Sequence, residues 1–108
     1  MEPARAGGGL AARMDRAAAL KLLESQHRFP SDHAFHVIVR GDPDDVAHVT
    51  AAVIAHGALE ALGERLRAVP SAQGRYLSLR LSLPCADAEA VLEWYGLFAR
   101  LERVVRYF

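Results

Sequence analysis

The sequence predicts a single α+β domain, an antiparallel four-stranded sheet with two helices on one of its faces. Three observations predict it. Residues 34–41 and 73–83 alternate apolar and polar side chains with the period of a strand. Residues 43–57 and 87–101 repeat apolar side chains with the period of a helix. These segments, with two shorter β-rich stretches, follow one another in the order β-α-β-β-α-β.

The chain has 108 residues and opens with MEPARAGGGLAAR, a Gly-rich stretch without periodicity. Residues 1–13 are expected to be a disordered tail, and residues 14–108 one domain, with Met14 offering an alternative start. Residues 15–26 predict a short helix capped by Asp15, with Ala19, Leu22 and Leu23 forming its apolar stripe. Phe29-Pro30 ends it.

The first strand, AFHVIVRG, sets Phe35, Val37 and Val39 on one face and His36, Ile38 and Arg40 on the other. Asp42 or Asp44 then caps a helix that tolerates Pro43 in its first turn, and Gly57 stands near its end. Residues 58–63 fit either a further helical turn or a linker. Arg65 to Val69 alternates as a second strand with Leu66 and Ala68 inward. Pro70 to Gly74 has hairpin length.

The third strand carries leucine at every second position from Leu77 to Leu83, and Pro84 closes it. Asp87 caps the second long helix, whose stripe is Val91, Trp94, Tyr95, Phe98 and Leu101, with Leu92 and Leu97 off it. RVVRYF makes the last strand; Val105 and Tyr107 fall on one side, Val104 and Phe108 on the other, and the pattern does not choose between them. Right-handed crossovers bring both helices to the same face and order the strands 4-1-3-2, which is the ferredoxin-like split β-α-β sandwich. Nothing in the domain covers the other face.

Composition narrows the functional classes. Acidic and basic residues balance at 13 each, so the chain as a whole does not attract nucleic acid electrostatically. One cysteine, Cys85, rules out an internal disulfide and any four-cysteine metal or iron–sulfur site within the chain. No apolar run approaches the roughly 18 residues that span a bilayer, and the N-terminus has no secretory pattern. A cytoplasmic protein that takes no cofactor and does not meet the membrane is the expectation. Phosphate loops, nucleophile elbows and dinucleotide fingerprints are absent from the sequence.

Phe29-Pro30, then Phe35-His36-Val37-Ile38-Val39, then Pro70-Ser71 with Gly74 and Tyr76, then the Val91 to Val104 segment, resemble the YbeD-like proteins in order and spacing over about residues 18–108. These are small bacterial proteins of unknown function. The resemblance implies a ferredoxin-like fold similar to that of ACT regulatory domains, which bind amino acids, and it implies no catalytic residues. Ala72-Gln73 departs from the family, which often has a basic residue before this glycine. Gly41-Asp42-Pro43 is similar to the ACT ligand loop, but Asp44 stands where ACT domains usually carry glycine.

The predicted strands hold arginines and, between their ends, no acid, so a neutral chain can present a basic sheet face. The candidate binding residues are His36, Arg40, Arg65, Arg67, Tyr76, Ser78 and Arg80. Pairing Val69 with Tyr76 would set Arg65 opposite Arg80 and Arg67 opposite Ser78. Like charges across a ladder repel, and a counter-charge from a ligand or partner relieves them. The plainer account is that arginine stems cover apolar surface while their heads stay wet.

RNA-recognition folds share the strand order but stack bases on several sheet aromatics; Tyr76 alone is expected outward on the central strands, which disfavours nucleic acid. His33 and His36 point to opposite sides of a strand and cannot share a metal there. Cys85 reads as a small buried filler, and Asp42, Asp44 and Asp45 as helix-capping charges.

Three readings follow. The first is a non-enzymatic binding or regulatory domain, a homodimer, whose basic face contacts an acidic protein segment or a small anion. The second is an ACT-like amino-acid sensor that uses Gly41, Asp42, Pro43, Asp44 and Asp45. The third is an RNA-binding module.

Overall fold

A computed structural model describes residues 8–108. Helix α1 runs Gly8–Gln26, strand β1 Ser31–Arg40, helix α2 Pro43–Gly57, strand β2 Leu66–Pro70, strand β3 Tyr76–Cys85, helix α3 Ala88–Arg100 and strand β4 Val104–Tyr107. A short 3-10 turn, Gly63–Arg65, leads into β2. The strands form an antiparallel sheet in the order β2-β3-β1-β4. This is the ferredoxin-like α+β sandwich, with one face of the sheet left open.

The longest ladder pairs all ten residues of β1 with all ten of β3, from Ser31↔Cys85 to Arg40↔Tyr76. Its alternation divides the molecule. Phe35, Val37, Val39, Leu79, Leu81, Leu83 and Cys85 face the helices and are buried. Val49 and Val53 of α2 and Val91, Trp94, Leu97 and Phe98 of α3 close over them. Phe35 is the centre of this packing: it is fully buried, with ring centroids 5.2 Å from Tyr95, 5.6 Å from Phe98 and 6.3 Å from Trp94. Leu97, which lies off the expected stripe, belongs to the core, because α3 is covered on a broader arc than five positions mark.

Helix ends follow side-chain chemistry. Asp42, of the two expected caps, accepts a hydrogen bond from the Asp44 N–H at 2.9 Å, and Asp87 accepts from the Ala90 N–H at 2.9 Å. The left-handed position that ends α2 is Ala58 (φ 52°), not Gly57. Gly57 answers a different need, since a Cβ there would stand 3.0 Å from the Trp94 ring.

Several boundaries differ from the sequence pattern. Helix α1 starts upstream of residue 15, because Leu10 to Met14 are good helix formers that continue it, so Asp15 lies within the helix rather than capping it. Of the expected tail at residues 1–13, residues 8–13 are instead helical, as the first turns of α1, and residues 1–7 lie outside the described residues. Strand β3 continues through Pro84 to Cys85, because β2 pairs no further along it than Leu81; proline is tolerated where the ladder has a neighbour on one side only. Strand β1 begins at Ser31, so Asp32 lies within the sheet.

The β2–β3 register is displaced from expectation: Pro70 pairs with Leu77, Val69 with Ser78, and Arg67 with Arg80. The turn itself sets it. Ser71 donates its N–H to the Tyr76 carbonyl at 2.9 Å, its hydroxyl accepts from the Tyr76 N–H, and its carbonyl accepts from Gly74. The reversal therefore starts at Ser71 rather than at Pro70. Gly74 supplies the left-handed turn (φ 73°).

The facing of β4 is settled by a bulge. Tyr107 lies opposite Val37 and Arg106 opposite Ile38, but Val104 lies opposite Val39, which leaves Val105 as the extra residue. Val104 and Tyr107 therefore both turn to the helices, Tyr107 near Tyr95 and Phe98, while Arg106 and Phe108 turn to the open side.

Helix α1 is joined to α3 by an ion pair between Arg16 and Glu89, and Leu23 packs against the core. Behind it, His27 and His33 meet edge to face at 4.8 Å, and His33 rests on Phe35 at 5.0 Å. Burial first, and the neighbouring His27 second, hold the His33 imidazole below its ordinary pKa.

Two outcomes are expected. Phe35→Ala should cost about 3–5 kcal/mol in urea unfolding, as for a large aromatic removed from a packed core; a loss under about 1 kcal/mol would contradict this packing. The unfolded chain protonates His33 more readily than the folded one, so its contribution to stability is present above pH ~6.5 and is lost as pH falls through the lower folded pKa. The melting temperature should drop less steeply below that pH in His33→Gln than in the parent.

Candidate functional site

The open face is built by the positions that the core does not use. Across it, residues opposite one another on successive strands form rows. One row runs Arg67 of β2, Arg80 of β3, His36 of β1 and Phe108 at the end of β4. His36 and Phe108 exchange both backbone hydrogen bonds, at 2.7 and 2.9 Å, and their rings stack at 5.0 Å with 26° between planes. The next row runs Val69, Ser78, Ile38 and Arg106. Beyond it Tyr76 lies opposite Arg40.

Of the residues that the sequence nominates, His36, Arg40, Arg67, Tyr76, Ser78 and Arg80 come together on this face. Arg67 and Arg80 project from the same side, directly opposite one another, in place of the expected Arg65–Arg80 pair. Two guanidinium groups so placed repel by up to about 1 kcal/mol. Among the described residues, Arg40, Arg67, Arg80 and Arg106 have no ion-pair partner.

Arg65 behaves differently. It sits in the turn before β2, and its Nη1 donates to the Asp32 carboxylate at 3.2 Å and to the Ser82 carbonyl at 3.1 Å. The expectation of an acid-free sheet fails here. Asp32 is on β1 because pairing with β3 extends the strand past the visible alternation, and it neutralises Arg65 at one end of the face. Ile38, expected to be exposed, is only half-buried among its neighbours, as are Val69 and Ser78.

Arg106, Phe108 and Val69 are face residues that the sequence-based candidate set missed. The bulge that sets Arg106 and Phe108 outward has no mark in the sequence; Val69 is the open-face position of the β2 alternation, and Ala68, expected inward, is exposed because β2 is an edge strand.

The loop after β1 is occupied by its own structure. Gly41 donates its N–H to the Arg75 carbonyl at 2.9 Å, and a Cβ on Gly41 would meet the Gly74 carbonyl oxygen at 2.9 Å. Asp42 caps α2, with Pro43 in the first turn of that helix. Asp45 accepts from Arg103 at 2.8 Å, and Asp44 is exposed in the first turn.

His33 and His36 face opposite sides of the sheet, one toward α1 and one toward Phe108. Cys85 is 1 % exposed and lines a shallow groove with Pro30, Asp32 and Pro84. Burial first, then the charges of Asp32 and Asp87, push its thiol up to about 11. Raising the pKa from 9.0 to about 11 cuts the thiolate fraction about 100-fold at pH 8. Labelling of the native protein by a disulfide reagent at that pH should therefore be at least about 100-fold slower than in denaturant; equal rates would show an accessible, ionised thiol.

No helix among the described residues is long and apolar enough to cross a membrane. No curated protein and no solved structure matches the chain. A family model described as "Protein of unknown function (DUF493)" matches residues 24–108, from the end of α1 through β4. The chain belongs to this family, that of the YbeD-like proteins.

Proposed function

We propose that the protein is a non-enzymatic binding domain whose open sheet face receives an acidic segment of a partner protein. The observation that carries this reading is the pair Arg67 and Arg80, set directly opposite on the ladder with no acid beside them. A folded chain that places two cations in register, when acids are plentiful elsewhere in the same sequence, holds electrostatic free energy that an incoming carboxylate releases. Arg40 and Arg106 extend the same field over the half-buried Val69, Ser78 and Ile38. The acids of the described chain, apart from Asp32, lie in helices, caps and loops, so the positive field is concentrated on one side.

The alternative loop site draws less support. The Gly41 N–H and the Asp42 and Asp45 carboxylates, which an amino acid would need, already hold the hairpin, the α2 cap and Arg103. For RNA, Phe108 adds a second ring to Tyr76, but that ring is stacked on His36 rather than free to receive a base.

Reversing both charges tests the proposal without altering the ladder, since two glutamates opposite one another repel as two arginines do. The double variant R67E/R80E should keep the parent melting temperature within a few degrees. It should bind a labelled glutamate-rich peptide at least about tenfold more weakly than the parent, with the parent's affinity falling as salt rises. Arg100→Glu, at the end of α3, is the control and should bind as the parent does. Equal binding by parent and double variant would overturn the assignment. Competition by millimolar inorganic phosphate with no binding of any acidic peptide would move it to a small-anion site.

A further inference from the structure

Resting on that reading, we infer that the segment docks as an acidic amphipathic helix laid across the strands, with its apolar ridge on Val69, Ser78 and Ile38.

The argument starts from where the sheet keeps its hydrogen-bonding groups. Backbone N–H and C=O groups lie in the plane of a sheet, so an extended peptide laid on the face finds no partners for its own backbone. Burying those groups unpaired costs their full desolvation penalty. An extended segment would have to add at an edge. Here the unpaired arginines project from the face, and two of them, Arg80 and Arg40, stand on the two central strands. A helix arrives with its backbone bonds already made and offers only side chains.

Dimensions agree. Val69 on β2 and Ile38 on β1 flank Ser78 on β3, two strand intervals apart, which is about 9.5 Å. Residues i and i+7 on one side of a helix are about 10.5 Å apart, and the i+3 and i+4 residues between them would fall over Ser78. Serine is small enough to let the ridge settle where leucine would hold it off. The flanking rows lie about 7 Å to either side along the strands, the separation needed to reach around a helix of about 10–12 Å diameter. Arg67 and Arg80 stand on one flank, Arg40 on the other and Arg106 at the far end of the ridge. Carboxylates on both flanks of an apolar ridge match this arrangement.

Fluorescence anisotropy of three labelled peptides tests the inference. The first, of about 14 residues, spaces leucine at helical i, i+3, i+4, i+7 intervals with glutamate on the flanks. The second has the same composition scrambled to remove the ridge. The third keeps the pattern but carries two central prolines that prevent a helix. The first should bind the parent at least about tenfold more tightly than either of the others. The variant I38S/V69S should reduce the first to the level of the scrambled peptide, with circular dichroism and melting confirming the fold. Equal binding of all three by the parent, each weakened by R67E/R80E, would overturn the helix while leaving the acidic-segment reading intact. Binding of none would overturn both, and tighter binding of a labelled oligouridine than of any peptide would replace both with nucleic acid.

Discussion

One-sided burial is the constraint on which everything else in the molecule depends. The ladder between β1 and β3 is ten residues long and its alternation is unbroken, so every side chain it carries is committed to one of two environments. The helix-facing set fills a core in which no polar or charged side chain of the described residues is buried. The opposite set has no covering layer among the described elements.

That division explains how chemistry is distributed. Groups turned toward the helices lose their reactivity to burial: the Cys85 thiol is raised and the His33 imidazole lowered, in both cases first by desolvation. Groups turned outward stay within reach of solvent. His33 and His36 are three residues apart yet belong to different worlds, one wedged between His27 and Phe35, the other stacked on Phe108 beside Arg80. In this fold the parity of a residue's number within β1 or β3 says more about its role than its type does.

Much of this was legible in the sequence because alternation and helical period are local properties. The run from Leu77 to Leu83 and the segment from Phe35 to Arg40 carried the central ladder, and crossover handedness supplied the strand order. What was hidden was set by contacts between distant residues. Ser31 to His33 are polar and show no strand pattern; they are extended because β3 continues opposite them. The β2 register turned on hydrogen bonds made by Ser71, one residue beyond the proline that seemed to open the turn. That two-residue displacement of the register replaced Arg65 by Arg67 opposite Arg80, and freed Arg65 to pair with Asp32. The basic face was therefore visible as a composition of the strands, while its membership had to come from the fold.

The bulge at Val105 carries a last consequence, for how copies of this chain meet one another. A regular rim would present evenly spaced donors and acceptors along which a second strand could zip. At β4 the spacing breaks at Val105, just before Arg106, so an approaching strand would fall out of step within a bond or two. The opposite rim, β2, is five residues long and finishes in a proline that has no N–H to give. Each margin of the sheet thus carries a feature that hinders pairing with a further strand, a bulge on one side and a proline on the other.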